Sequence, residues 1–376
     1  MRVLFINEVC GTGSTGKITC ELAEEYEREG HEVKVAYGRS SFVPEKYQRF
    51  AVQIGSKFDV YSHAILTRLT DRHGFYSRHA TRKFLTWANS YNPSFLWLHN
   101  IHGYYINIEL LFDWIKSRDN LKVFWTLHDC WSFTGHCAFF TMAKCEKWRV
   151  HCCDCPQKNS YPKSFHDGSY KNYEAKRRIF TGVQDMRIIT PSKWLAELVK
   201  QSFLSEYPVE VRNNKIDTNI FKPSPSDFRK KYNLQGKFII LGVASVWDKR
   251  KGLEDFVKLS TMLEPEKFAI FLVGLKPEQM KTLPKNILAI SRTHNQSELA
   301  EIYTAADVFF NPTYEDNYPT VNLEAEACGT PVISYDTGGS SETLHNINSR
   351  VIKCGDIDSA KKMIISSAGC VAAARV

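Results

Sequence analysis

No apolar run in this chain approaches the roughly 20 residues that a membrane-spanning helix needs. The N-terminus enters a strand-like stretch, Arg2 to Asn7, with no leader ahead of it, so a secretory signal peptide is not expected. Both absences predict a cytoplasmic protein, whose 11 cysteines are then expected as thiols and not disulfides. No short repeat or low-complexity tract is present, which argues against a solenoid or a linker-like chain. Charge of a single sign is also missing, since 49 Lys and Arg stand against 41 Asp and Glu. The resulting +8 fits an anionic membrane surface, nucleic acid or plain solubility. What the chain does have is size: 376 residues at 43% hydrophobic content can bury the cores of two ordinary domains.

Strand-like runs alternate with helical patterns along its whole length. Val33 to Tyr37, Phe95 to His99, Val123 to His128 and Arg187 to Thr190 form a first series. Phe238 to Ala244, Phe268 to Val273, Ile287 to Ile290, Val308 to Asn311 and Val332 to Ser334 form a second. The rhythm predicts an α/β chain with two doubly wound, Rossmann-like domains at 1–213 and 227–376. A linker at 214–226 carries Pro223 and Pro225, and a Cys-rich insertion occupies about 130–162.

The most informative stretch runs from Asn311 to Asp336. Its pattern predicts a strand, a loop, a helix from about Pro319 to Cys328 closed by Gly329, and a strand from Pro331 to Tyr335. The helix start and the free amides of Asn317 and Tyr318 form a partial positive charge that suits an anionic or hydroxyl-rich ligand such as a nucleotide sugar. Glu324, one turn in, offers two carboxylate oxygens to a vicinal diol such as a ribose, and Asp316 is placed to meet a sugar hydroxyl. A solvated helix cap with surface acids is the plainer reading of the same residues.

Other segments add to it. Trp247-Asp-Lys-Arg-Lys-Gly follows the first strand of the second series, so Arg250 and Lys251 can stabilise charge on a departing diphosphate. Gly11-Thr-Gly-Ser-Thr-Gly-Lys-Ile nearly spells a P-loop but has Ile18 where magnesium needs a Ser or Thr ligand. Gly13 and Gly16 still allow close approach of a donor phosphate or acceptor, or else make an ordinary tight turn. His128, at the end of the strand before Asp129, is a candidate sugar contact; a lone histidine is also a common structural group. Cys137, Cys145, Cys152 and Cys155 are separated by seven, six and two residues, a spacing that can bind structural zinc, with Cys130, Cys153, His136 and His151 as further candidates. Buried thiols packed as small hydrophobes are the alternative. A zinc-dependent nucleic-acid module is not expected, because a second knuckle and interleaved aromatics are missing.

The run from Asp316 through Glu324 to Cys328-Gly-Thr-Pro-Val resembles the retaining GT-B glycosyltransferases of family four, whose signature is two acids separated by seven residues. Gly-Ser-Thr-Gly-Lys (13–17), Leu-His-Asn-Ile-His-Gly-Tyr-Tyr (98–105), Leu-His-Asp-Cys-Trp-Ser-Phe-Thr-Gly-His-Cys (127–137) and Thr-Pro-Ser-Lys-Trp-Leu (190–195) extend the resemblance over nearly the whole chain. It is similar above all to enzymes that assemble bacterial capsular, colanic-acid-like and O-antigen polysaccharides. The resemblance implies two domains facing across a cleft, a UDP- or GDP-sugar donor, a glycan or lipid-linked acceptor, and peripheral contact with the inner membrane. It assigns His128 to the donor sugar and leaves His99 and His102 to the acceptor side. The family has Glu where Asp316 stands, so Glu315 is an alternative sugar contact. No carboxylate is placed as a nucleophile, so same-face attack with the leaving phosphate taking the proton is expected, without a catalytic metal. After Gly355-Asp-Ile-Asp the family continues through long helices, whereas this sequence soon reaches Val376; a truncated remnant or a sugar-nucleotide-binding protein is therefore the alternative function.

Overall fold

A computed structural model describes residues 1–40 and 42–374. Arg375 and Val376 lie outside the described residues. The chain divides into two compact units, Met1–Asn213 and Asn214–Val376.

Unit 1 is built on seven strands: β1 (Arg2–Asn7), β2 (Glu32–Tyr37), β3 (Ala51–Gln53), β4 (Phe95–Leu98), β5 (Lys122–Thr126), β6 (Met186–Thr190) and β7 (Val209–Val211). Unit 2 has six: β8 (Phe238–Val243), β9 (Phe268–Val273), β10 (Ile287–Ile290), β11 (Val308–Asn311), β12 (Val332–Tyr335) and β13 (Arg350–Ile352). Every pairing is parallel, in the orders β3-β2-β1-β4-β5-β6-β7 and β10-β9-β8-β11-β12-β13. Parallel strands covered by helices on both faces need apolar side chains on both, which is why β1, β4, β8 and β11 read as unbroken hydrophobic runs. Register follows from that packing: Val3 pairs Val33 on one side and Phe95 on the other. Phe5 stacks on Trp97 at 5.7 Å, and Trp97 meets Phe124 edge-on at 5.3 Å.

Each sheet starts in its middle and then reverses direction, between β1 and β4 in unit 1 and between β8 and β11 in unit 2. Loops diverge at such a point and leave a crevice at the carboxyl ends of the strands. Within each unit, the residues that follow the two central strands are therefore the ones placed to meet a ligand.

Three differences from the sequence reading have physical causes. The strand expected at Val123 to His128 stops at Thr126, because its ladder with β6 ends there, and His128 lies in the following loop. The three-residue edge strands β3, β7 and β13 were not anticipated; edges are short and only partly apolar, so they carry little pattern. The aromatic side chains of the Cys-rich insertion, which show no periodic pattern, join the main core of unit 1: Phe133, Phe140 and Trp148 are buried in it, with Phe140 on Trp148 at 5.0 Å.

The insertion is also fastened to its neighbours. His136 Nδ1 and Asp71 Oδ1 meet at 2.5 Å with both side chains fully buried, and Asp71 Oδ2 accepts the Gly168 amide at 2.8 Å. Lys176 donates to the carbonyls of Trp131 (2.7 Å) and Thr134 (3.0 Å), and burial pushes its amine down to about 7. At the start of unit 2, Phe221 is buried against Tyr303, so this end of the linker segment is packed and not free.

Candidate active site

In unit 2 three loops converge at the strand reversal. After β8, Asp248 caps a single 3₁₀ turn at Lys249–Lys251 by accepting the Lys251 amide at 3.1 Å, and Trp247 Nε1 anchors the turn on the Val273 carbonyl at 2.9 Å. Gly252 leaves the turn at φ +71, where a Cβ would stand 2.2 Å from the Pro312 carbonyl oxygen, so only glycine fits. The loop after β11 is sewn to this turn: the Tyr314 amide donates to the Arg250 carbonyl at 2.7 Å, and Arg250 Nη1 donates to the Glu315 carbonyl at 2.7 Å. Lys251 Nζ pairs with Asp316 Oδ2 at 2.5 Å, both side chains being less than a fifth exposed. The loop after β12 closes the group, with Thr337 Oγ1 donating to the Tyr314 carbonyl at 2.8 Å. Gly338 packs so tightly that a Cβ would lie 1.8 Å from the Asp316 carbonyl oxygen.

Burial pushes the Asp316 carboxyl up, but Lys251 and Arg250 outweigh it and hold the group below the ordinary Asp value, so Asp316 is ionised. The Asn317 amide, expected to be free at the helix start, donates to Asp316 Oδ1 at 2.9 Å. Glu315, Asn317 and Tyr318 are all buried. The helix covers Thr320–Ala327, inside the predicted span. Asn311 Nδ2 donates to Asn322 Oδ1 at 2.8 Å, and Asn322 Nδ2 in turn donates to Thr343 Oγ1 at 2.8 Å, which fixes the helix on β11. Glu324 Oε2 accepts from the Tyr303 hydroxyl at 3.1 Å. Burial, then the Glu324 charge, pushes that phenol well above its usual range, so it stays a donor. Arg250, Lys251, Glu315 and Asp316 thus form one connected group, with Glu324 braced from the side by Tyr303, a residue the sequence reading did not single out.

Gly13, Gly16 and His128 belong to unit 1. Gly16 is buried, where a Cβ would meet the Val9 side chain at 3.0 Å, whereas Gly13 has φ +64 and open space above it. The Asn100 amide, after β4, donates to Asn7 Oδ1 at 3.2 Å, and Arg39 pairs with Glu8 at 3.1 Å. His128 Nε2 meets His99 Nδ1 at 3.0 Å with the rings stacked at 16°. Burial drives His99 well below the usual range and brings His128 down to about 4, so both are neutral imidazoles that share one proton along this contact. His102 differs. Burial lowers it, but Asp129 at 3.0 Å outweighs that and leaves it raised, while its Nδ1 meets the Tyr161 hydroxyl at 3.1 Å. Asp129 and Tyr161 were not among the expected site residues; position next to a strand-end histidine is the signal that could have drawn attention to Asp129.

A pH dependence follows. His63, His73, His99 and His128 all have lowered values in the fold, His63 to about 3. A depressed value contributes stability that is complete above the unfolded pKa and lost as pH falls towards the folded one. We expect the melting temperature to drop between about pH 6.5 and pH 4, only partly opposed by His102, whose raised value has the opposite sign. Thermal melts across that range check this; a flat profile down to pH 4.5 would contradict it.

The four cysteines of the proposed zinc set line one small cavity with Cys153, Phe140 and Trp148. Cys152 Sγ accepts the Gly135 amide at 3.2 Å. A hydrogen bond between Cys137 and Cys155 raises the first thiol and lowers the second to about 7. The four are free thiols, and among the described residues no three His, Cys, Asp or Glu side chains are grouped to hold a metal ion.

Comparison with known proteins agrees with this architecture. Residues 15–220 match the Glycosyltransferase Family 4 family, and 225–367 match the glycosyl transferases group 1 family. A putative colanic acid biosynthesis glycosyl transferase, WcaC of Escherichia coli K12, is 24% identical over 374 residues, covering 94% of this chain and 87% of that protein. A sucrose-phosphate synthase from Thermosynechococcus elongatus superposes with a TM-score of 0.71 at 15% identity, over 97% of this chain and 89% of that one. Anabaena Alr3699/HepE in complex with UDP-glucose gives 0.64 at 14% identity, with the same coverage. With a family match across more than half its length and two Rossmann-like parallel sheets, the chain belongs to glycosyltransferase family 4 and has the GT-B fold.

Proposed function

We propose that this protein is a retaining, metal-independent hexosyltransferase. It would take a UDP- or GDP-sugar and transfer the sugar to a lipid-linked glycan during assembly of a bacterial surface polysaccharide such as capsule or O-antigen. It would work in the cytoplasm, in contact with the inner membrane. The observation that carries this reading is the cation pair Arg250 and Lys251, bonded into the strand-reversal loops of unit 2, with Glu324 of the same unit held by Tyr303. Support also comes from HepE, which holds UDP-glucose, and from the colanic acid assignment of WcaC.

In this reading Glu324 accepts two hydroxyls of the nucleotide ribose, and Arg250 and Lys251 stabilise the departing diphosphate. Asp316 holds Lys251 in place, while Glu315, Asn317 and Tyr318 line the donor site. The bond from the anomeric carbon to the phosphate oxygen breaks as the acceptor hydroxyl oxygen bonds that carbon from the same face. The hydroxyl proton passes to the leaving phosphate oxygen. Gly13 and Gly16 allow backbone approach to the donor or acceptor, and neutral His128 contacts the transferred sugar.

The test is turnover of a panel of UDP-, GDP- and ADP-sugars in EDTA, with the product anomer assigned by proton NMR. One UDP or GDP donor is expected to react with its anomeric configuration kept. An inverted product ends the retaining reading, dependence on added divalent ions ends metal independence, and silence across the panel favours a sugar-nucleotide-binding protein without transfer activity.

A further inference from the structure

The Lys57–Thr70 helix of unit 1 wears its apolar side outward. Phe58, Tyr61, Ile65 and Leu69 recur at steps of three or four residues and so form one stripe, and they are 80%, 68%, 61% and 58% exposed. Phe165 lies at the far end of the helix, where its amide donates to the Arg68 carbonyl at 2.8 Å, and it is 67% exposed. The inward face is mostly polar, with Val60 packed against the core of unit 1. His63 and Thr67 are buried, with His63 Nδ1 on Ser77 Oγ at 2.8 Å and Nε2 accepting the Gly74 amide at 3.1 Å. A helix that served only to cover a core would have the opposite arrangement. The stripe does not hold the helix in place either. A capping box between Ser56 and Asp59 closes its N-terminus, and Asp71 closes its C-terminus. Single exposed apolar residues need no explanation, but a continuous row of them does.

The charge along this stretch is mainly basic. Between residues 57 and 83 the basic residues are Lys57, Arg68, Arg72, Arg78, Arg82 and Lys83, and the acids are Asp59 and Asp71. Both acids are used internally, Asp59 in the cap and Asp71 on buried His136, and of the cations Arg78 is paired with Glu109 at 3.1 Å. Among the described residues no helix is long and apolar enough to cross a membrane, so any membrane contact by them is made at the surface.

We propose that this face docks on an anionic lipid bilayer, with the aromatic and aliphatic stripe at the headgroup–acyl boundary and the cations on lipid phosphates. A second copy of the chain is disfavoured as the occupant, since a symmetric pair would bring the same cations face to face. The inference gives a location to the membrane contact proposed above and rests on that reading for its purpose, though its structural basis is separate.

The test is co-sedimentation of the full chain with phosphatidylglycerol-containing vesicles and with pure phosphatidylcholine vesicles. Wild type is compared with Phe58→Ser/Ile65→Ser/Leu69→Ser, and donor turnover and thermal melting are measured in parallel. Wild type is expected to bind the anionic vesicles and to lose binding in high salt. The triple variant should bind about a thousandfold more weakly, since each of the three lost side chains is worth roughly tenfold. Its melting temperature and donor turnover should be unchanged. Equal binding by both proteins, binding to neither vesicle, or a wild-type dimer that the variant abolishes would overturn the proposal. Absence of donor turnover in both proteins would count against the enzyme reading alone and leave the vesicle result standing.

Discussion

Glu324→Gln is expected to raise KM for the nucleotide-sugar donor by about 10²- to 10⁴-fold at nearly unchanged kcat, in a protein that folds as before. A carboxylate that accepts both hydroxyls of a ribose makes two charge-assisted bonds of roughly 1.5–3 kcal/mol each, and 1.36 kcal/mol is a factor of ten. The ribose is remote from the bond being broken, so these contacts are equally strong in the ground state and the transition state; their loss appears in KM. Glutamine keeps an oxygen for the Tyr303 hydroxyl now 3.1 Å from Glu324, so melting should shift by less than about 1 kcal/mol equivalent. Tyr303→Phe gives a graded control, because it removes only the brace on a carboxylate that remains. Steady-state kinetics on the reactive donor, with calorimetric titration of the free nucleoside diphosphate, decides the matter. An unchanged KM and an unchanged diphosphate affinity would remove Glu324 from the donor site.

How far such a site can be read from sequence depends on whether its contacts are local. Asn311 to Asp336 was legible because two apolar strands bracket a proline-led helix closed by glycine, and β11, β12 and Thr320–Ala327 lie where that pattern puts them. The Lys251–Asp316 pair was not legible. Its partners are 65 positions apart and meet only because β8 and β11 are neighbours at the strand reversal, a fact of topology that no local pattern contains. Tyr303 was missed for the same reason: it looks like one more apolar position of the Gln296–Ala305 helix, and only tertiary packing turns its hydroxyl onto Glu324. The end of β5 failed differently. Leu127 continues the hydrophobic run past Thr126, so periodicity alone extends the strand to His128, whereas the ladder has already stopped. In the Cys-rich insertion, Phe140 and Trp148 follow no helical or strand period, so their joining the core of unit 1 could not be read from the local pattern.

Lys251→Ala should separate the two jobs of its ammonium group. On the reaction, loss of a cation that acts on the leaving diphosphate removes stabilisation made chiefly in the transition state, and kcat is expected to fall about 10²- to 10³-fold. On the fold, it strands Asp316, whose side chain is only 17% exposed, and a cost of roughly 1–3 kcal/mol is expected because Arg250 remains nearby. The double variant Lys251→Ala/Asp316→Asn should recover most of the lost stability and none of the lost kcat. Acid titration gives an independent sign. In the wild type the Asp316 value is held below the ordinary 3.8, so its contribution to stability is present above that pH and disappears as pH falls through the folded value. In Lys251→Ala, burial is opposed by Arg250 and the Asn317 amide without the lysine, the carboxyl moves up, and protonation relieves the stranded charge. The stability gap between the two proteins should therefore narrow as the solution is acidified. A gap independent of pH, or a double variant that regains turnover, would mean that Lys251 serves the fold and not the leaving group.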